Sequence, residues 1–333
     1  ATGLLELREA IAERLTRRGL DVSADQVIIT NGSQQAVSLA GCWALEEGRS
    51  VLCETPTFTG MPGAFSLVGH SVESVAWEGS ALSTTQLRGL AAGRRTVLYV
   101  CPDFNNPTGQ CIPDAARQEI AAIANQHDCV VVVDEIFRDL RFAGTEPASL
   151  YGLLPPGRRI LVGSVSKSFM TGLRVGFLVA DRTLLTDLIP SKRYMDLGGA
   201  ALTQAIVATL LRDGDFDEHL GRVRAYYRLR CEAATESLAT VMPEGVSFTR
   251  PEGGFQLWVQ LPRGLSSVEL FLLGHERGVS ISPGPAHDID GRYRKLVKFA
   301  FVDTNVNDLE TYRDLADETF LLSDFEKEQY SNL

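Results

Sequence analysis

The sequence predicts an α/β protein: a large domain built on a mostly parallel sheet, followed by a smaller α+β domain. Three observations carry this expectation. Short apolar runs rich in β-branched residues, at 27–30, 50–53, 97–101, 130–133, 160–163 and 178–180, recur between stretches of helical character. The run 130–133 is valine throughout, the pattern of a strand covered on both faces in a parallel sheet. From about residue 225 onward, short strands alternate with helices.

Composition agrees with two domains and excludes several kinds of function. With 333 residues, 44% of them apolar, the chain can bury a large core. No apolar run is long enough to span a bilayer and no secretory leader is visible, so a cytoplasmic protein without a membrane partner is expected. A net charge of −10 argues against nucleic acid, whose phosphates need a basic face. The six cysteines, at 42, 53, 101, 111, 129 and 231, are scattered without Cys-x-x-Cys spacing, and the five histidines lack metal-ligand spacing. Reduced thiols and no metal are expected.

Taken in order, residues 5–17 form an amphipathic helix with Leu7, Ile11 and Leu15 on one face. The strand 27–30 runs into Asn31-Gly32-Ser33-Gln34-Gln35 and an apolar helix to about Leu45. A glycine turn from strand to helix gathers backbone N–H groups at the positive end of the helix dipole, which serves an ordinary N-cap or a phosphate. The strand 50–53 leads to Glu54-Thr55-Pro56-Thr57-Phe58-Thr59-Gly60, and Trp77 marks the next strand and loop. Strand 97–101 opens into Pro102-Asp103-Phe104-Asn105-Asn106-Pro107-Thr108-Gly109, a turn in which proline fixes φ and glycine supplies a positive one. A helix capped by Asp114 follows, burying Ile120 and Ile123. The valine strand ends in Asp134-Glu135. A carboxylate there either caps the next turn or meets a ligand at the C-terminal edge of the sheet. Residues 143–159, punctuated by Gly and Pro, read as loop.

The strand 160–163 delivers Ser164-Val165-Ser166-Lys167-Ser168-Phe169, with Gly172-Leu173-Arg174 and Gly176 beyond. A lysine at the mouth of a buried strand is either costly or useful. Desolvation disfavours the charged form of an amine, and a neutral amine attacks an aldehyde to form a Schiff base. The serines and Arg174 offer hydroxyls and a planar cationic fork, which suit a phosphate. Ser164-x-x-Lys167 also fits the serine–lysine pattern of penicillin-recognising enzymes, but the chain lacks their Ser-Asp-Asn and Lys-Thr-Gly partners. Strand 178–180, helical material over 184–211 and a long helix over 216–238 lead to the second domain. There Pro251-x-Gly253-Gly254-Phe255-x-Leu257-Trp258 reads as a strand, Ser282-Pro283-Gly284 as a loop, and 296–301 alternates like a half-exposed strand.

These motifs, in this order, resemble the pyridoxal-phosphate (PLP) enzymes of fold type I, in the class I/II aminotransferase branch that includes kynurenine and aminoadipate aminotransferases and MocR-type regulators. The resemblance implies a role for each motif. Lys167 would hold PLP as a Schiff base and then serve as general base, and Asp134 would pair with the pyridinium nitrogen. Asn106 would bond the phenolic oxygen, Phe58 stack on the ring, and Ser33, Gln34, Ser164, Ser166 and Arg174 anchor the phosphate. The resemblance also implies a seven-stranded-type, mostly parallel sheet in residues 21–224, and a small domain formed by 225–333 with 1–20. A homodimer acting on an amino acid is implied too. The family's N-terminal arm and a phosphate-contacting tyrosine would precede Gly3, where the Gly-x-x-x-Leu-Arg pattern begins.

Four positions depart from the family pattern. Phe58 and Phe137 stand where tyrosines are usual, so the phenolic oxygen loses one partner. Lys298 replaces an arginine that grips the substrate's α-carboxylate, and a lysine lacks the fork. His287 takes the place of an aromatic after the Pro-Gly loop, as a polar contact in the substrate pocket or as an exposed loop residue. Transamination is the default expectation. The alternatives are β- or γ-elimination, replacement or cyclisation on a substrate such as S-adenosylmethionine, and the effector-sensing module of a MocR-type regulator.

Overall fold

The computed structural model describes residues 2–262, 264–276 and 281–301. The large domain runs α1 (Leu5–Arg17), β1 (Val27–Asn31), α2 (Ser33–Glu46), β2 (Ser50–Thr55), α3 (Gly60–Leu67), β3 (Val72–Glu78), β4 (Ala81–Leu82) and α4 (Thr84–Ala91). It continues through β5 (Thr96–Val100), α5 (Asp114–Gln126), β6 (Cys129–Asp134), α6 (Leu150–Leu153), β7 (Arg159–Ser164), β8 (Val175–Ala180), α7 (Arg182–Asp196) and α8 (Ala201–Asp213). One sheet orders the strands β1-β8-β7-β6-β5-β2-β3-β4. Strands β7, β6, β5, β2 and β3 pair in parallel, and β8 is antiparallel to both of its neighbours. The two-residue β4 adds an eighth strand to the seven expected.

Burial explains the layering. Every residue of β5 and β6 is buried, because helices cover both faces of the central strands. On one side Leu98, Val100, Val131 and Val133 join a cluster with Leu7, Ile11 and Leu15 of α1. On the other, Val97, Tyr99, Val130 and Val132 meet Val37, Leu39 and Trp43 of α2. Within the expected small-domain segment 1–20, the residues from Leu4 to Leu20 therefore pack on the large sheet rather than in the small domain. The apolar stripe of α1 showed that the helix is buried but not against which partner. The Thr2 carbonyl accepts from Ile29 N, 2.9 Å, which adds the chain start to β1.

Three local expectations need correction. Asp114 is the first residue of α5 and does not cap it: Pro113 holds the cap position, and the Asp114 carboxylate accepts from Ala148 N across the loop, 3.0 Å. The stretch 143–159 contains the one-turn helix α6. The helical material over 184–211 is two helices, separated by a turn that holds Gly198 and Gly199.

The long helix α9 (Asp215–Val241) belongs to both domains: Phe216 and Leu220 enter the large core, while Cys231, Ala234 and Leu238 enter a second cluster. That cluster is closed by β9 (Ser247–Phe248), β10 (Gln256–Gln260), α10 (Ser267–Glu276), β11 (Ser282–Pro283) and β12 (Leu296–Ala300). The strands form an antiparallel sheet, ordered β11-β12-β10-β9. Along β12, Val297 and Phe299 are buried in this core, which puts Lys298 on the opposite face. Among the described residues no helix is long and apolar enough to cross a membrane, and no group of His, Cys, Asp and Glu is placed to hold a metal ion.

Candidate active site

Neighbouring strands β2, β5, β6 and β7 run parallel, so their C-terminal ends, and the turns beyond them, line one edge of the sheet. Phe58 comes after β2, Asn106 after β5 and Lys167 after β7, while Asp134 ends β6. The C-terminal edge of an open parallel sheet is where such folds bind ligands.

Next to that edge is a cradle. Gly32, with φ of 75°, turns β1 into α2, whose first-turn N–H groups find no acceptor inside the helix. Arg174 lies over this turn in the left-handed region, φ 51°, and its Nη2 donates to the Asn31 carbonyl at 3.4 Å. A Cβ at Gly32 would stand 2.5 Å from that same nitrogen. A Cβ at Gly176 would stand 2.4 Å from the Gly32 carbonyl carbon and 2.6 Å from Ser33 N, so only glycine lets β8 pass this close. Ser164 Oγ donates to the Val175 carbonyl, 3.0 Å, and accepts from Ser166 N, 3.0 Å. The Ser166 hydroxyl is buried with no hydrogen-bond partner among the described residues. The Gln34 side chain turns away to the Gly60 carbonyl, 2.9 Å, so its contribution to the cradle is its backbone N–H.

The second part of the site is a buried carboxylate. Asp134 is 2% exposed; its Oδ2 accepts from the Tyr99 hydroxyl at 2.7 Å and its Oδ1 from Ile136 N at 3.1 Å. Burial pushes its carboxyl up to about 6 in spite of those donors. Tyr99 was not singled out from the sequence, although a lone phenol in an otherwise apolar buried strand has to find a partner. Glu54, at the end of β2, was also passed over. It is fully buried and accepts from Cys101 N at 2.7 Å and from Trp77 Nε1 at 3.1 Å, and burial pushes it up to about 8.

The turn that carries Asn106 is pinned from below. Asp103 pairs at 2.8 Å with each of two buried arginines, Arg117 and Arg138, and Asn105 Oδ1 accepts from Thr108 N and Oγ1. The Asn106 amide oxygen is buried with no partner among the described residues. Lys167 Nζ lies 5.5 Å from the centre of the Phe255 ring, which meets Phe137 edge-on at 5.2 Å. Phe137, 1% exposed, is part of the core wall behind the site. Lys298 approaches from β12, where burial and then the charge of Lys167 lower it to about 8. His287 does not meet the expectation of a substrate contact. Both ring nitrogens are engaged by protein, Nδ1 with the Thr57 carbonyl at 3.0 Å and Nε2 with Ser282 Oγ at 2.8 Å.

The residues present fit PLP. The cradle supplies N–H groups, hydroxyls and a guanidinium for a phosphate, while Asp134, the unpartnered Asn106 oxygen and Lys167 suit a pyridinium nitrogen, a phenol and an aldehyde. Fold and site together define a PLP-dependent transferase of fold type I.

Comparison with known proteins narrows this. The family profile "Aminotransferase class I and II" matches residues 1–305. A 2-aminoadipate transaminase of Thermus thermophilus is 38% identical over 305 residues, covering 90% of this chain and 75% of that protein. An uncharacterized HTH-type transcriptional regulator of Bacillus subtilis is 26% identical over 92% of this chain, which spans 64% of the regulator. The crystal structure of LysN, the α-aminoadipate aminotransferase of Thermus thermophilus complexed with N-(5'-phosphopyridoxyl)-L-leucine, superposes with a TM-score of 0.89. It is 32% identical, over 97% of this chain and 84% of that one. The chain belongs to the class I and II aminotransferases, and its cofactor is pyridoxal phosphate.

Proposed function

We propose that the chain moves an amino group from an amino acid to an acceptor, with Lys167 as the residue that carries the cofactor and then shuttles the α-proton. The reading is supported above all by the four adjacent strand ends that present Phe58, Asn106, Asp134 and Lys167 along one edge. Bound PLP supplies an aldehyde for the amino group and a ring that takes up electrons. The remaining work falls to the chain. Ser33, Gln34, Ser164, Ser166 and Arg174 hold the phosphate and so fix the reacting carbon in place. Asp134, oriented by Tyr99, holds the proton on the ring nitrogen. Phe58 stacks, and Phe137 lines the site without a hydroxyl. Lys298 attracts the substrate carboxylate as a point charge.

Borohydride reduction of the loaded protein, followed by peptide mass analysis, is expected to leave a phosphopyridoxyl group on Lys167; no adduct there ends this reading. Incubation with pooled amino acids tests the reaction. Conversion of the cofactor to its amine form supports transfer; without that conversion, release of ammonia supports elimination, and loss of the side-chain leaving group from a product that keeps its amine supports replacement or cyclisation. The similarity to a transcriptional regulator supports one further reading, an effector-sensing module, and cofactor binding without any turnover would favour it.

We also propose a homodimer. Large apolar side chains at the junction of α7 and α8 are exposed, with Tyr194 at 85%, Leu197 at 82% and Leu202 at 74%. A surface of that kind is characteristic of subunit contacts.

A further inference from the structure

The small domain reaches the large one at several places, among them the bridge between Arg141 and Gly253 and the contact of Ser74 with Asp290, and two of these places are turns that carry proposed cofactor residues. The first is 55–60, after β2. His287, 1% exposed, ends a short 3-10 turn, Gly284–His287. Its Nδ1 lies 3.0 Å from the Thr57 carbonyl, a pure acceptor, so Nδ1 carries the proton and Nε2 accepts from the Ser282 hydroxyl at 2.8 Å. Thr57 N returns a bond to the His287 carbonyl at 2.9 Å, and the Tyr293 hydroxyl donates to the Thr55 carbonyl at 2.9 Å. Thr57 adjoins Phe58, and Ser282 pairs in register with Lys298. The second place is 102–109, after β5. Gln256, 1% exposed, donates from Nε2 to the carbonyls of Phe104 at 2.9 Å and Asn105 at 3.0 Å, and Thr249 Oγ1 donates to the Thr108 carbonyl at 3.0 Å. Gly109 meets this strand so closely that a Cβ there would stand 2.6 Å from the Gln256 carbonyl oxygen.

We propose that His287 and Gln256 form a two-point latch by which the small domain holds the turns bearing Phe58 and Asn106 in their working positions. The small domain also carries Lys298, so the latch ties the place of the substrate's carboxylate to the place of the cofactor ring. Both are positioning residues and act through the turns. The functional half of this rests on the cofactor roles proposed for Phe58 and Asn106; the mechanical half does not.

The first point of the latch is sensitive to acid. The charged group facing His287 is Lys298, from β12; Trp258, Thr57 and Ser282 are neutral, as is the nearby phenol of Tyr293, while the Asp288 carboxylate is turned to the amides of Asp290 and Tyr293. Burial and then Lys298 lower His287 to about 4. Its folded value lies below the unfolded one, so the stability it contributes is complete above about 6.5 and is lost as pH falls toward about 4, where the ring in the folded protein itself takes up a proton.

Hydrogen exchange read by mass spectrometry on the full chain, with and without added PLP, tests the proposal. In His287→Phe the peptide over 55–60 is expected to exchange about tenfold faster, with 102–109 unchanged, and in Gln256→Met the reverse, as for the loss of one buried hydrogen bond. The peptide over 129–134 stays as in the parent in both. Affinity for PLP is expected to fall about tenfold in each variant. His287→Asn, which keeps a donor for the Thr57 carbonyl, recovers most of the loss, and His287→Phe also flattens the stability profile between pH 6.5 and 4. Should His287→Phe fail to fold, Ser282→Ala decides, since it removes one hydroxyl and is expected to speed exchange at 55–60 a few-fold. Parent-like exchange at both turns in variants that fold overturns the latch, whether or not PLP binds. Faster exchange in a protein that never binds PLP leaves the latch standing and overturns the cofactor reading.

Discussion

Asp134 is where stability and chemistry oppose each other. Without cofactor its buried carboxyl, held up at about 6, has a folded pKa above the ordinary 3.8. Its stabilising contribution is therefore complete below about 3.8 and is lost as pH rises through about 6, leaving a buried anion relieved only by Tyr99 and Ile136 N. Asp134→Asn is expected to make the cofactor-free protein more stable at pH 8, by up to about 3 kcal/mol. The same change is expected to cut amino transfer by at least about a hundredfold. Thermal melts and turnover on one preparation check both, and a variant that is less stable and equally active would remove Asp134 from the proposed machinery. Lys298 titrates in the opposite sense. Lowered to about 8 by burial and by Lys167, it keeps its charge below that value and loses it above. KM for an amino donor is accordingly expected to rise as pH passes 8. In Lys298→Arg, which stays charged and gains a fork, KM at pH 9 should drop about tenfold while kcat changes little.

Gly176 shows how much a single element depends on its neighbour. Strand β8 runs against both of its partners, and it passes the start of α2 so closely that a methyl group at Gly176 meets backbone rather than side chain. Gly176→Ala must push the Gly32–Ser33 turn outward, which is expected to weaken PLP binding more than about tenfold and to lower stability by roughly 2 kcal/mol. Equilibrium dialysis and urea melts measure the two. This contact also marks the limit of what could be read in advance. The strands 130–133 and 160–163 were legible because burial on both faces leaves an unbroken apolar run, Asp134 because a carboxylate ends such a run, and Lys167 because a lysine follows one within a few residues. The antiparallel direction of β8 was not legible, since a covered strand looks apolar whichever way its neighbour runs. Helices α3 and α4, eight residues each, were too short to show a period, and β4 too short to show anything. Tyr99 and Glu54 escaped because their importance lies in partners on other strands, Asp134 and Trp77, which sequence spacing does not encode. His287 was legible as a departure, and its destination, Thr57, lies 230 residues away in the chain.

For the molecule as a whole, the exposed apolar surface and the cradle belong to one neighbourhood. Asp196, in the last turn of α7, accepts from Asn31 Nδ2 at 2.9 Å and Gln35 Nε2 at 3.0 Å, and its carboxylate is held by the buried ammonium of Lys192 at 2.6 Å. The start of α2 is thus tied to the helix end from which Tyr194, Met195 and Leu197 protrude. Across the turn, Gly199 packs on the Gln204 amide of α8, the helix that exposes Leu202 and Ile206. A second copy covering these side chains would press on the framework that holds the phosphate-binding turn, so assembly and cofactor retention should fall together. Leu202→Glu puts a charge at the middle of the patch, where a desolvated carboxylate has no partner. Sedimentation is expected to give twice the 36.3 kDa chain mass for the parent and a single chain for the variant, with PLP affinity lower in the variant by about tenfold or more. A parent that sediments as one chain and still binds PLP tightly would assign the surface to another partner and leave the cradle self-sufficient. A monomeric variant with undiminished PLP affinity would show that the tie through Asp196 holds the turn without help from a neighbour.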